Sequence, residues 1–435
     1  MSRKGTNTSI PPADELSREV SQMEGPALLE FVIRKTIEGN ASDLFLLAGD
    51  AHYEISMRRL GTIEPIARVS KAMGQQLVNT VKSQAAMDLS EKRRPIDGRW
   101  SYLIGDSQVE FRANSMGTMH GEDLALRILR QSERLYKIED LGLVGGQKAL
   151  LKSILDRPGG LLLVTGPTGS GKTTTLYACL QQLNNGMRKI NTLEDPIEHR
   201  LPGIRQSQIF PKLGLDFSEL LTGAMRQSPD VIMVGEIRDP ETAAIVIRAA
   251  NSGHLVLATM HSPTATSAVQ SLVALGVHPF FLAHSLVAVI AQRLIRTLDP
   301  EKRVEYPLSG LTGTFDEVKE LLEPGQGDAI YGPPLEASGQ HEGYFGQTGL
   351  FEIMENTPTI RTAITTERPA AELRRIALDE GMLDFRRCGL LKVAQGITSI
   401  EEITRVIPVE DFDELNAEDS EEYDSSSQRI RMSNR

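Results

Sequence analysis

Residues 166–173 read GPTGSGKT, three glycines, a lysine and three hydroxyl side chains within eight positions. Glycines at 166, 169 and 171 let a backbone bend close to a polyanion with its amide groups turned inward. The apolar LLLVT before the segment reads as a strand, and TTLYACLQQL after it as a helix. A helix N-terminus there adds partial positive charge. The pattern G-x-x-x-x-G-K-[ST] is met in full. It assigns Gly166, Pro167, Thr168, Gly169, Ser170, Gly171, Lys172, Thr173 and Thr174 to a cradle for a nucleotide polyphosphate. Lys172 is expected to neutralise the β/γ oxygens, and Thr173 to ligate Mg2+.

Three further stretches carry the same kind of signal. TLEDPIE (192–198) closes an apolar strand with Glu194, Asp195 and Glu198. SPDVIMVGEIRDPETA (228–243) runs unbroken apolar over 231–234, then meets Gly235, Glu236, Arg238 and Asp239. GHLVLATMH (253–261) is a strand bounded by His254 and His261. Open parallel sheets bind ligands outside the carboxyl ends of their strands. These polar residues are therefore expected to converge with the cradle, with Glu236 acting on a water or on a metal's hydration shell.

The elements that must position them follow from hydrophobic pattern. From 146 to 298, helical periodicity alternates with the strands GGLLLVTG, KINTLED, DVIMVGE and HLVLATMH, which argues for an α/β fold with a mostly parallel sheet. Before it, 25–135 mixes helix and strand patterns as an α+β domain, with a flexible 1–24 ahead and a linker at 136–145. After it come a Gly- and Pro-rich insertion at 299–342, a helical region at 343–408 and an acidic tail at 409–435. The last helix of that region is expected to open with a capping box from Thr398 to Glu401. FFLAHSLVAVIA (280–291), too short to span a bilayer, reads as a buried helix.

Composition narrows the function classes. Hydrophobic residues at 40% and charged ones at 24% describe a soluble globular chain, and 435 residues call for two or three domains. The formal charge of −11 is local: Glu410 to Asp424 holds nine acids and no base, so the body is close to neutral. No basic face for nucleic acid is indicated. Two cysteines, Cys179 and Cys388, build neither a disulfide framework nor a thiolate metal site, and fit a reducing cytoplasm.

With these residues in order, the chain resembles the secretion-type hexameric ATPases of type II secretion and type IV pilus assembly. The likeness extends to ASDLFL (41–46), RRPIDGR (93–99), FRANSMGTMHGEDLALRIL (111–129), AQRLIR (291–296), GYFGQTGLFEI (343–353) and GITSIEEITRV (396–406). The resemblance implies a RecA-like ATPase core preceded by a smaller PAS-like domain. It implies ATP and Mg2+ as cofactors, with Glu194 and Glu236 meeting Mg2+ through water and Glu236 positioning the nucleophile. By the same likeness His261 senses the terminal phosphate. Arg112 and Arg127 reach the phosphates from the N-terminal domain, and Arg226 and Arg238 lie near a subunit boundary. It further implies a homohexamer at the inner face of the cytoplasmic membrane, working on an inner-membrane platform protein, with no nucleic acid.

The chain departs from the family pattern at Phe45, Thr222, Ser228, Ser262 and Pro263. Thr222 stands where an arginine is common. The insertion keeps its size, which favours the assembly or secretion branch over pilus retraction. It carries no cysteine, so a four-thiolate zinc site is impossible. With His341 its one plausible ligand, the insertion is expected to be a metal-free, mobile excursion ordered only at FDEVKELLE (315–323). Two rival readings are a ring ATPase acting on nucleic acid and a non-catalytic nucleotide-binding adaptor.

Overall fold

The computed structural model describes residues 13–20, 23, 25–104, 107–129, 135–210, 213–306, 314–334 and 343–407. The chain divides into two units, Met1–Glu133 and Arg134–Arg435. His341 and the acidic tail lie outside the described residues.

The first unit runs α1 (Ala13–Val20), α2 (Gly25–Glu38), β1 (Asp43–Ala48), β2 (His52–Arg59), β3 (Thr62–Ser70), α3 (Lys71–Gln84), β4 (Ile96–Ile104), β5 (Ser107–Gly117) and β6 (Glu122–Leu129). Its six strands form a sheet in the order β3-β2-β1-β6-β5-β4, antiparallel throughout. One face is apolar: Leu44, Leu46, Leu124, Leu126 and Phe111 are buried there with Leu28, Val32, Leu77 and Val81 of the helices. The expected α+β domain is present. The expectation of a flexible 1–24 fails over 13–20, because Leu16 and Val20, four apart on one helix face, are buried in this core. Ser17 Oγ also accepts the Arg68 backbone N–H at 2.9 Å.

The second unit opens at Arg134, just before the expected linker, and takes that linker in whole. A single 3-10 turn, Ile138–Asp140, buries Ile138 and Leu141 against the second unit's core. Then follow α4 (Gln147–Leu155), β7 (Gly160–Thr165), α5 (Lys172–Leu183), β8 (Ile190–Glu194), β9 (Arg205–Gln208), α6 (Phe217–Met225), β10 (Val231–Val234), α7 (Pro240–Asn251), β11 (Leu255–Met260), α8 (Ala265–Ala274), α9 (Pro279–Ser285) and β12 (Leu286–Leu298). The insertion contributes β13 (Val304–Tyr306) and β14 (Ile330–Gly332). Beyond it lie β15 (Tyr344–Glu355), α10 (Pro358–Thr365), α11 (Ala370–Asp379), α12 (Phe385–Ala394) and α13 (Ile400–Val406).

Seven strands form the second sheet, ordered β15-β12-β7-β11-β10-β8-β9, parallel except for β15 at one edge. Every residue of β7, β8, β10 and β11 is buried, as a sheet covered on both faces requires, even though β8 carries the polar Asn191, Thr192 and Glu194. The mostly parallel α/β core is therefore as expected.

Four expectations need correction. Residues 280–291 are not one helix: the chain leaves α9 at Ser285 and enters β12, where Val287, Val289 and Ile290 favour a strand. Region 343–408 begins with a twelve-residue strand, β15, before it turns helical. The described part of the insertion is more than a short helix. It forms the β13–β14 pair and a 3-10 turn at Asp316–Leu321, and it lends Phe315, Val318 and Ile330 to the main core. Finally, the cap of α13 is Ser399, whose Oγ accepts from the Glu402 N–H, one residue later than the expected box.

Candidate active site

The cradle sits between β7 and α5, at the carboxyl edge of the sheet. Gly166 has φ +145°, and a Cβ there would lie 2.4 Å from the Gln292 carbonyl and 2.7 Å from Ser170 Oγ. Gly171 has φ +88° and is the N-cap of α5. Only glycine suits both positions. Pro167, Thr168 and Gly169 form the exposed tip, and Thr174 is exposed on the first turn of α5. Ser170 is buried, and its Oγ has no hydrogen-bond partner among the described residues. The donor set, the tight backbone and this orphaned hydroxyl fit a polyphosphate.

Lys172 folds back over the loop. Its Nζ donates to the carbonyls of Gly166 at 2.9 Å and Pro167 at 3.1 Å, and lies 3.4 Å from His261 Nδ1. Burial holds its ammonium below the ordinary lysine range, with the Glu236 carboxylate pulling the other way. His261 Nε2 lies 3.0 Å from Glu236 Oε1. An ammonium on one side and a carboxylate on the other assign the tautomer with the proton on Nε2. Glu236 Oε2 accepts from Arg238 at 2.8 Å (Nε) and 2.6 Å (Nη2). The result is one file of groups, Lys172–His261–Glu236–Arg238, spanning the ends of β7, β11 and β10.

This arrangement explains why a core strand ends in charge. Glu236 faces the file, Arg238 clamps it, and Asp239 caps α7 by accepting from the Thr242 N–H at 2.8 Å. The turn is pinned from β11: Ile237 N–H donates to the Thr259 carbonyl at 2.8 Å, and Thr259 Oγ1 donates to the Gly235 carbonyl. Arg238 also lies 3.7 Å from Asp195, so it is engaged within its own chain.

Glu194 stands differently. It is 3% exposed, and its oxygens accept from Tyr177 Oη, from Thr192 Oγ1 at 2.6 Å and from Gln206 Nε2 at 3.0 Å. The carboxylate of this loop that touches the cradle is Glu198, whose Oε1 accepts from Thr173 Oγ1 at 3.4 Å. Glu198 converges on the cradle as the sequence leads one to expect, although the motif gives it no role there, and Tyr177 is not signalled by the sequence at all. Only the TLEDPIE spacing hinted at the second glutamate.

Two residues fall elsewhere. His254 sits at the amino end of β11, where Nδ1 meets the Ala249 carbonyl at 3.0 Å and Ser252 Oγ at 3.1 Å. It does not converge on the cradle. Arg226 is the exposed C-cap of α6 at the amino end of β10, the opposite end from Glu236.

Arg112 and Arg127 belong to the first unit. Cross-strand register places Arg58, Asp43, Arg127, Arg112 and Arg99 in one row over five strands. Directly opposed residues share a sheet face, so this row lies on the face away from the apolar core. Asp43 meets Arg127 at 3.3 Å and Arg58 at 3.5 Å.

Known proteins resemble this chain in sequence and in fold. Residues 21–405 match the family model described as Type II/IV secretion system protein. The chain is 37% identical over 397 residues to a type II secretion system protein E of Dickeya dadantii, covering 91% of this chain and 78% of that one. It is 38% identical over 408 residues to the type IV pilus assembly ATPase PilB of Pseudomonas aeruginosa, covering 91% and 71%. Among solved structures, the Legionella pneumophila ATPase DotB aligns with a TM-score of 0.63 at 20% identity over 88% of this chain and 95% of that one, which speaks to the fold. The pilus retraction motor PilT with bound ADP aligns with a TM-score of 0.55 at 25% identity, over 87% and 96%.

Proposed function

This chain belongs to the Type II/IV secretion system protein family, and on that premise we propose that it is an ATP-hydrolysing motor of type II secretion or type IV pilus assembly. The observation that carries the reading is the file joining Lys172, in the phosphate cradle, to the Glu236 carboxylate through His261. A non-catalytic adaptor would need the cradle but not a carboxylate clamped beside it.

ATP enters as Lys172 exchanges the Gly166 and Pro167 carbonyls for phosphate oxygens, a swap of one set of oxygen acceptors for another. Glu236 Oε1 then holds the attacking water, while Arg238 keeps the carboxylate turned toward it. His261, its Nε2 proton already placed, reports the terminal phosphate. Thr173 would hold Mg2+, which spreads the charge of the phosphate oxygens when bound. Glu194 and Glu236 would meet that ion only through water, and Glu194 also braces its loop.

We read the assembly as a ring of six, cytoplasmic at the inner face of the membrane, pushing a platform protein as its two units open and close. Among the described residues no helix is long and apolar enough to cross a membrane. A crevice at a domain edge that is completed by residues reaching across an interface is satisfied at every such interface only by closed symmetry. Light scattering with an ATP analogue at micromolar protein should give a hexamer mass. Monomer alone would contradict the ring, and DNA-stimulated turnover would favour the nucleic-acid reading.

The reading includes no zinc, since the insertion has no cysteine. Metal analysis of the purified protein should find none, and near-stoichiometric zinc surviving dialysis would contradict this.

A further inference from the structure

We infer that Tyr177 is a positioning residue of the hydrolytic site: its hydroxyl fastens α5 to the 194–199 segment and thereby sets where the Glu198 carboxylate meets Thr173. The inference rests on the nucleotide reading above and adds a residue that the phosphate-loop pattern does not assign.

Tyr177 is four residues after Thr173, so both side chains lie on one face of α5. The ring is 3% exposed. Its hydroxyl donates to Glu194 Oε2 and accepts from the backbone N–H groups of Glu198 at 3.3 Å and His199 at 3.4 Å. A phenol has one proton to give and room for two incoming bonds, and here all three are used. Burial and the neighbouring Glu194 carboxylate push the phenol well above the ordinary tyrosine range, so the proton stays on the hydroxyl.

Glu194 is the anchor. Thr192 and Gln206 fix its other oxygen, and Gln206 Nε2 also donates to the His199 carbonyl at 2.9 Å. The backbone of 198–199 is thus tied to Tyr177, while the side chain of Glu198 reaches Thr173 Oγ1. Two contacts four residues apart on one helix hold Glu198 from both ends. A carboxylate placed against the hydroxyl that would hold Mg2+ orients that hydroxyl. Tyr177 sets the placement without touching nucleotide.

Tyr177→Phe removes the hydroxyl and leaves the ring. The measurement is binding of a fluorescent ATP analogue to the full chain, titrated with Mg2+. Loss of an outer partner of a metal site lowers metal affinity about tenfold or more. Tyr177→Phe should therefore raise the Mg2+ needed for half-saturation about tenfold, with unchanged analogue affinity in EDTA. Gln181→Ala, further along α5 and bonded to the Tyr136 carbonyl rather than to the 194–199 segment, should keep the parental Mg2+ requirement. If Tyr177→Phe fails to fold, Glu198→Gln, on an exposed residue, should show the same shift. A parental Mg2+ requirement in Tyr177→Phe or Glu198→Gln, or an equal shift in Gln181→Ala, would overturn the inference. Because the readout is binding, a parent that binds Mg2+–ATP without hydrolysing it would sink the motor reading and leave this test intact.

Discussion

Arg112 and Arg127 stand directly opposite each other on β5 and β6, and Arg99 stands opposite Arg112. Like charges at facing positions destabilise a sheet, so stability alone does not favour such a row. Asp43 offsets part of it, through Arg127 and Arg58. Arg127 is more than half exposed, and an exposed pair contributes about 0–1 kcal/mol. Arg127→Ala should therefore barely move thermal stability. Both Arg127→Ala and Arg112→Ala should lower ATP turnover by about 10³ while changing nucleotide affinity far less, because an arginine supplied to a phosphoryl transition state acts on rate. Normal turnover in both would reduce them to structural arginines. At this scale the sequence was informative wherever the chemistry demands a residue type: the cradle, Glu236 and His261 were all legible. Tyr177 was not. A buried tyrosine on a helix has no local signature, and its partners lie 17 to 22 positions away in sequence.

Elements were legible when one segment carried its own pattern. The wholly buried strands β7, β10 and β11 announced themselves as apolar runs, whereas β15 did not. Its first half, YFGQTG, is glycine-broken and only partly buried, and its partner β12 lies across the insertion, 46 to 67 residues away. The order in the insertion is hidden from sequence for a related reason: Phe315, Val318 and Ile330 are too few for a core of their own but join one already built. Element docking also explains a buried lysine. Lys392 on α12 is 1% exposed and donates to the Gly142 carbonyl at 2.7 Å, which ties the second unit's first segment to α12. Burial holds its ammonium down to about 8, from 10.5. The folded pKa is depressed, so between pH 8 and 10.5 the unfolded chain binds more protons and stability rises with pH. The burial penalty is present in full below pH 8. Relative to Lys392→Met, the parent should gain about 2 kcal/mol in urea unfolding from pH 8 to pH 10. Equal pH dependence in the two proteins would show that burial does not hold the ammonium down.

On the scale of the whole molecule, length and composition already called for more than one domain. The alternation of strand and helix fixed the class of the larger unit. What the pattern could not supply was how its groups are joined: Arg238 clamping Glu236, His261 bridging to Lys172, Glu194 withdrawn into a buried network. Those links give the motor reading its sharpest consequence, since binding and hydrolysis are carried by different residues. The decisive measurement is nucleotide affinity and steady-state ATP turnover, taken side by side for the parent, Lys172→Ala and Glu236→Gln. The parent should hydrolyse ATP, and Lys172→Ala should lose tight binding with the side-chain cation of its cradle. Glu236→Gln should bind as the parent does and lose turnover by about 10²–10⁴, the range for removing a positioned proton acceptor. A Glu236→Gln protein that hydrolyses ATP at the parental rate, or a parent that binds nucleotide and does not turn it over, would contradict the account.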